Sequence, residues 1–138
     1  MLTCLSLGSN LGNKEENLQH AVGLIDRQAG KVVCQSSFYY SEPWGFSSEN
    51  KFVNIVIAVE TELSPLDLLH VTQQIERQMG RTHKSANGHY SDRIIDIDIL
   101  LYDNLHINLP ELKIPHPLMH QRDFVMIPLQ EIMQSTAD

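Results

Sequence analysis

Asp96 and Asp98 stand one residue apart in "DRIIDIDILLYDN", residues 92–104, inside a run of Ile and Leu that otherwise reads as a buried β-strand. Side chains alternate across a strand, so the two carboxylates share one face about 7 Å apart while Ile95, Ile97 and Ile99 point to the other. Like charges flanked by Ile94 and Leu100 repel unless a cation sits between them. Oxygen donors of this kind suit a hard cation, and Mg²⁺ typically takes one or two carboxylates and fills its shell with phosphate oxygens and water. An edge strand with a solvated face would show the same D-x-D pattern, but the neighbouring residues favour the metal. Arg93 lies three residues before Asp96, and Arg81 opens the segment "RTHKSANGHYSDR", with His83, Lys84 and His89 between them. Guanidinium forks match phosphate oxygens in pairs, and a cationic polar segment leading into two metal-binding acids reads as a lid over a polyphosphate.

Other stretches could contribute. "LGSNLGNKEE" is a strand, a glycine-containing turn and a helix start, where backbone N–H groups can meet an anion. It lacks the Gly-Lys-Ser/Thr of a Walker loop, and a plain tight turn is the simpler reading. His116 and His120 in "HPLMH" have zinc spacing for a helix, but Pro117 and the absence of a nearby Glu weaken it. His116 after Pro115 suits a positioned hydrogen-bond donor. The aromatics of "SSFYYSEPWGF" and Phe124 could stack a flat heterocycle, although such rings usually belong to a core.

The elements that must position these groups follow from patterning. Residues 2–7 alternate as a strand; Asn13 with Glu16 forms a helix-capping pattern, and Leu18, Ala21, Val22 and Ile25 recur at helical spacing up to Gly30. "KVVCQSSFYY" and "FVNIVIAVET" read as strands. Ser64, Pro65 and Asp67 start a second helix with a stripe of Leu68, Leu69, Ile75 and Met79, stopped by Gly80. After the acidic strand, Asp103-Asn104 turns into a short return strand "LHINL", the prolines of "PELKIPHP" bar a central strand, and "LMHQRDFVMIPLQEI" reads as a closing helix. The order βαββαβ, then a hairpin strand and a helix, predicts a ferredoxin-like α+β sandwich in one domain spanning 1–138.

Composition narrows the classes. With 138 residues, 42% hydrophobic and 20% charged, the chain reads as a globular domain. A net charge of −7 argues against a general nucleic-acid or membrane-surface binder. No apolar run approaches the roughly 20 residues of a membrane span, and no secretory leader is visible. Cys4 and Cys34 read as two free thiols of a cytoplasmic protein.

Taken in order, "LGSNLGN", "SSFYYSEPWG", "FVN", "QQIERQMGR", "DRIIDIDIL" and "IPHPLMHQRDFVMIPLQEI" resemble the blocks of the 6-hydroxymethyl-7,8-dihydropterin pyrophosphokinase family over nearly the whole chain. The family moves the β,γ-diphosphate of ATP onto the pterin's hydroxymethyl group in folate biosynthesis and releases AMP. The resemblance implies that Asp96 and Asp98 hold two Mg²⁺ ions and that Arg81 and Arg93 grip phosphate, the four together forming the catalytic set. It places Gln73, Glu76, His116 and Arg122, with the two arginines, around ATP. Asn54 would read the pterin's polar edge, Ser41, Pro43 and Trp44 would assist through their backbone, and Phe124 would stack on the ring. Ser91-Asp92 before Arg93, and Phe52 where some relatives carry Tyr, depart from the pattern. The implied protein is a cytoplasmic monomer with two small-molecule substrates, ATP and a dihydropterin, and with neither nucleic acid nor membrane as a partner. A nucleotidyltransferase would also pair a Gly-Ser turn with a D-x-D strand, but Ser9 and Asp96 are too far apart in sequence for it. A non-catalytic nucleotide-binding module of the same fold would bind ATP without turnover.

Overall fold

Asparagine and glycine shape the first crossover in the computed structural model, which describes residues 1–42, 51–80 and 94–136. Strand β1 (Leu2–Ser9) is longer than predicted, taking in Gly8 and Ser9. It enters a turn in which Gly12 has φ +69°, a conformation glycine adopts without steric cost. The Asn17 amide closes that turn by donating to Ser9 Oγ at 3.2 Å and to the Leu11 carbonyl at 2.8 Å. Helix α1 (Lys14–Gln28) begins at its predicted cap, Asn13, whose side-chain oxygen accepts from the Glu16 N–H at 3.2 Å. The tight-turn reading of this segment accounts for these contacts.

The predicted strand 31–40 is divided into β2 (Lys31–Gln35) and β3 (Tyr39–Ser41). Side chains cause the break by taking bonds the ladder would use. The Ser36 hydroxyl accepts from the Val56 N–H at 3.0 Å, and the Glu131 carboxylate takes the Ser37 N–H at 2.6 Å and its hydroxyl at 3.2 Å. Strand β4 (Phe52–Glu60) and helix α2 (Pro65–Gln78) follow, α2 capped by Ser64, which accepts from the Asp67 N–H at 3.2 Å. Strand β5 (Asp96–Tyr102) carries the two acids.

Two C-terminal expectations need correction. "LHINL" does not return along β5; its β6 (Ile107–Asn108) pairs with β7 (Lys113–Ile114) in a separate two-stranded ribbon, which suits a segment whose flanking prolines lack donors. The closing helix starts later than position 118: one 3-10 turn (Met119–Gln121) and an extended Arg122 precede α3 (Asp123–Thr136). Asp123 is the acid in its first turn, the favoured sign at a helix N-terminus.

The main sheet has the order β2-β4-β1-β5, with β3 also paired to β4, and every pairing is antiparallel. With two helical crossovers, this is the predicted ferredoxin-like arrangement. One sheet face packs Leu5, Leu7, Ile55, Ile57, Ile97 and Ile99 against Leu18, Ile25, Leu68 and Ile75 of α1 and α2. On the other face Val56, Ala58 and Leu100 meet Met119, Val125, Leu129 and Ile132 from the C-terminal segment and α3. Cys4 and Cys34, both free, flank Ala58 on this face. They lie two strand spacings apart, about 9.6 Å, beyond disulfide reach. Burial, then the neighbouring Cys34, pushes the Cys4 thiol up to about 11. Among the described residues no helix is long and apolar enough to cross a membrane.

Candidate active site

Helix α3 packs over Val56, Ala58 and Leu100 of its sheet face, and candidate site residues lie elsewhere on that face. β-Sheet register dictates which they are, because directly paired residues project on the same side. Gly8 of β1 is paired with Asp96 on one side and with Asn54 on the other, and Asn54 is paired with Tyr39. One rung of the sheet therefore reads Tyr39, Asn54, Gly8, Asp96. The next rung sets Asp98 beside Ser6 and Ser6 beside Val56, where the cover of α3 begins. The alternation predicted for β5 holds: Ile95, Ile97 and Ile99 are buried, while Asp96 and Asp98 are half-buried.

Gly8 leaves room for its neighbour. A Cβ there would come 2.6 Å from Asn54 Nδ2, so a side chain at this position would force the Asn54 amide to shift. The Asn54 amide is 5% exposed and donates to the Leu7 carbonyl at 3.5 Å, while its Oδ1 meets no donor among the described residues. A buried acceptor left this way costs about 1–3 kcal/mol, which a ligand N–H would recover. Ser41 Oγ, on β3 opposite Phe52, is likewise buried without a hydrogen bond among the described residues. Asn54 and Ser41 thus lie towards the β3–β4 end of this face, and the carboxylates lie at the β5 end.

A cleft of about 270 Å³ opens beside Asp98, lined also by Gln73, Ile97, Lys113 and His116 among others. It unites residues from α2, β5, β7 and the turn after it. His116 is held by its backbone N–H, which donates to the Leu100 carbonyl at 3.0 Å. Its Nδ1 accepts from the Leu118 N–H at 3.3 Å, so the ring's Nε2 carries the proton and can donate. Lys113 donates to Asn108 Oδ1 at 3.2 Å and to the Leu109 carbonyl at 3.0 Å, which clamps the β6–β7 ribbon at the cleft. Glu76 is 2% exposed and accepts from the Ile97 N–H at 2.8 Å. Arg122 is buried, and its guanidinium lies over the Phe124 ring, 5.6 Å from the centroid.

Of the residues singled out in the sequence, Gln73, Asp98 and His116 share the cleft; Glu76 borders it through Ile97; Asp96 and Asn54 flank Gly8; Arg122 and Phe124 adjoin at the start of α3. Arg81, Arg93, Pro43 and Trp44 lie outside the described residues. Sequence reasoning missed Gly8, Ser6 and Lys113. A glycine inside an alternating apolar strand was the available signal for Gly8, since it marks a close approach.

The donor set fits a hard cation. Two carboxylates project from one strand face, and among the described residues no cluster of three or more His, Cys, Asp or Glu could hold a metal alone. A cation held here would complete its shell with ligand oxygens and water, as Mg²⁺ typically does.

Comparison with known proteins shows which family the chain resembles. Residues 4–134 match the family model of 7,8-dihydro-6-hydroxymethylpterin-pyrophosphokinase. The chain is 50% identical over 129 residues to a 2-amino-4-hydroxy-6-hydroxymethyldihydropteridine pyrophosphokinase of Porphyromonas gingivalis, covering 93% of this chain and 88% of that protein. To the protein of the same name from Bacillus subtilis it is 40% identical over 131 residues, covering 94% and 77%. The crystal structure of wild-type HPPK-DHPS from Plasmodium falciparum superposes with a TM-score of 0.71 at 18% identity. That match covers 94% of this chain but 40% of the longer one, and it speaks for the fold alone.

Proposed function

The chain belongs to the 7,8-dihydro-6-hydroxymethylpterin-pyrophosphokinase family, and we propose that it transfers the β,γ-diphosphate of ATP to 6-hydroxymethyl-7,8-dihydropterin, an Mg²⁺-dependent step of folate biosynthesis. The observation that supports this reading is the rung Asn54–Gly8–Asp96, which brings an amide and a carboxylate to one sheet face. Asp96 and Asp98 hold two Mg²⁺ ions, which supply charge neutralisation to the triphosphate when bound. Gln73, Glu76 and His116 border the nucleotide, and the His116 Nε2–H donates toward its phosphates. Arg81, Arg93 and Arg122 add positive charge there. Asn54 Oδ1 accepts from the pterin's N–H edge, Ser41, Pro43 and Trp44 contribute along β3 and beyond, and Phe124 stacks on the ring with Arg122 behind it.

In the reaction, the pterin's hydroxymethyl oxygen attacks the β-phosphorus. The bond from that phosphorus to the α,β-bridging oxygen breaks, AMP leaves, and the hydroxyl proton passes to solvent. Such transfer needs positioning and charge stabilisation more than covalent participation. On the same reading, residues 1–138 form one domain acting as a cytoplasmic monomer. The test is to combine the protein with MgATP and the pterin and to resolve the nucleotides. Pterin-dependent AMP without ADP or free pyrophosphate is expected. Released pyrophosphate would indicate nucleotidyl transfer instead, and bound ATP without product would leave a binding module.

A further inference from the structure

Glu76 sits in the last turn of α2, where two effects oppose a carboxylate. Burial strips its hydration, and the C-terminal end of a helix is the negative end of its dipole. One compensating contact is the hydrogen bond it accepts from the Ile97 N–H at 2.8 Å. That N–H belongs to the peptide linking Asp96 to Ile97, on β5, the last strand of the main sheet on that side. β1 lies on one side of β5, and the bond from α2 fixes the strand from another element altogether.

We infer that Glu76 is a positioning residue: it pins the sheet's edge strand at the peptide between the two acids, so that Asp96 and Asp98 keep the separation that cation binding requires. The inference rests on the proposed function for the identity of the cation, but the anchor itself is a property of the free protein. It differs from a nucleotide contact in what it predicts. Glutamine can still accept the Ile97 N–H through its amide oxygen, whereas alanine cannot, and aspartate is one methylene too short.

Two readouts test it, neither of them turnover. The first is amide hydrogen exchange at Ile97 in the free protein; the second is Mn²⁺ affinity by electron paramagnetic resonance in the presence of a non-hydrolysable ATP analogue. In Glu76→Ala, Ile97 protection is expected to fall about tenfold while the Val56 and Ile57 amides of central β4 keep theirs. Mn²⁺ affinity should fall about tenfold, the range seen when a support of a metal ligand is removed. Glu76→Gln should keep both within about threefold of the wild type. If Glu76→Ala does not fold, Glu76→Asp carries the same test. Loss of Ile97 protection with unchanged Mn²⁺ affinity would overturn the positioning role. Equal Mn²⁺ losses in the Ala and Gln variants, with Ile97 still protected, would overturn it in favour of a direct contact. A wild-type protein that protects Ile97 yet binds no Mn²⁺ with the nucleotide would instead overturn the metal reading, and this role with it.

Discussion

Replacing Gly8 with alanine puts a methyl carbon 2.6 Å from Asn54 Nδ2, where ordinary contact begins at 3.4 Å. The Asn54 amide must therefore retreat by about 0.8 Å, the difference between those distances. It has little room to do so, being 5% exposed with a bond to Leu7 already 3.5 Å long. The Phe52 ring, 3.7 Å from the new methyl, stays in normal contact, and the three nearest atoms all belong to Asn54 and Phe52 rather than to the acids. The damage should fall on the heterocycle and spare the metal. One misplaced buried hydrogen bond to a ligand is worth about 1–3 kcal/mol, roughly 5- to 150-fold in dissociation constant. Titration calorimetry with the pterin, in the presence of an MgATP analogue, should show that loss, while affinity for the analogue changes by less than about threefold. A folded Gly8→Ala protein with wild-type pterin affinity would refute the seat proposed for Asn54, and an equal loss for nucleotide would refute its confinement to one substrate.

Asp98→Ala should bring AMP formation below detection while the protein still folds cooperatively, as a thermal melt would record; retained turnover would sink the metal assignment. Gly30→Ala would set a methyl 2.2 Å from the Glu60 carbonyl oxygen and 2.9 Å from Thr61 Cα, both backbone, so a loss of about 1–3 kcal/mol and a drop of about 3–10 °C in calorimetric midpoint are expected. Cys4, raised chiefly by burial, should still react with a maleimide in a Cys34→Ser background more than about tenfold slower at pH 8 than a free thiol, the rate climbing with pH beyond 9. Because the folded value lies above the unfolded one, the stability tied to Cys4 is complete below about pH 9 and is lost as pH rises towards 11, as denaturant melts across that window should record.

Local chemistry was legible in the sequence, and long-range partnership much less so. Asn13 and Ser64 announce their helices because a cap is decided within four residues, and the alternation around Asp96 and Asp98 assigns the faces of β5 before any fold is known. The break after Gln35 depends on Val56 and Glu131, both distant in the chain, and nothing in "KVVCQSSFYY" reveals them. "LHINL" looked like a return strand because turn residues precede it, yet its partner is Lys113–Ile114. The start of α3 was misplaced because "LMHQR" carries helical periodicity although Arg122 is extended. In the site, the acids were visible as charges in an apolar run, whereas Gly8 acquires meaning only once Asn54 and Asp96 stand on either side of it. Glu76 was placed near ATP by resemblance, but its bond to Ile97 is a fact of tertiary packing.

The rung through Gly8 also acts as a ruler. Asn54 and Asp96 are separated by two inter-strand spacings, about 9.6 Å, a length set by peptide hydrogen bonding and independent of the side chains attached. On the proposed function, the gap between the acceptor's ring and the donor's metal-bound phosphates is laid out in units of backbone. Substitutions can change which heterocycle or which nucleotide is welcomed at either end of that gap, but they cannot lengthen it. Homologous sites built on this rung should therefore diverge in their loops and conserve their span, and an acceptor whose hydroxyl sits one bond farther from its ring should meet the phosphates out of line however tightly it binds.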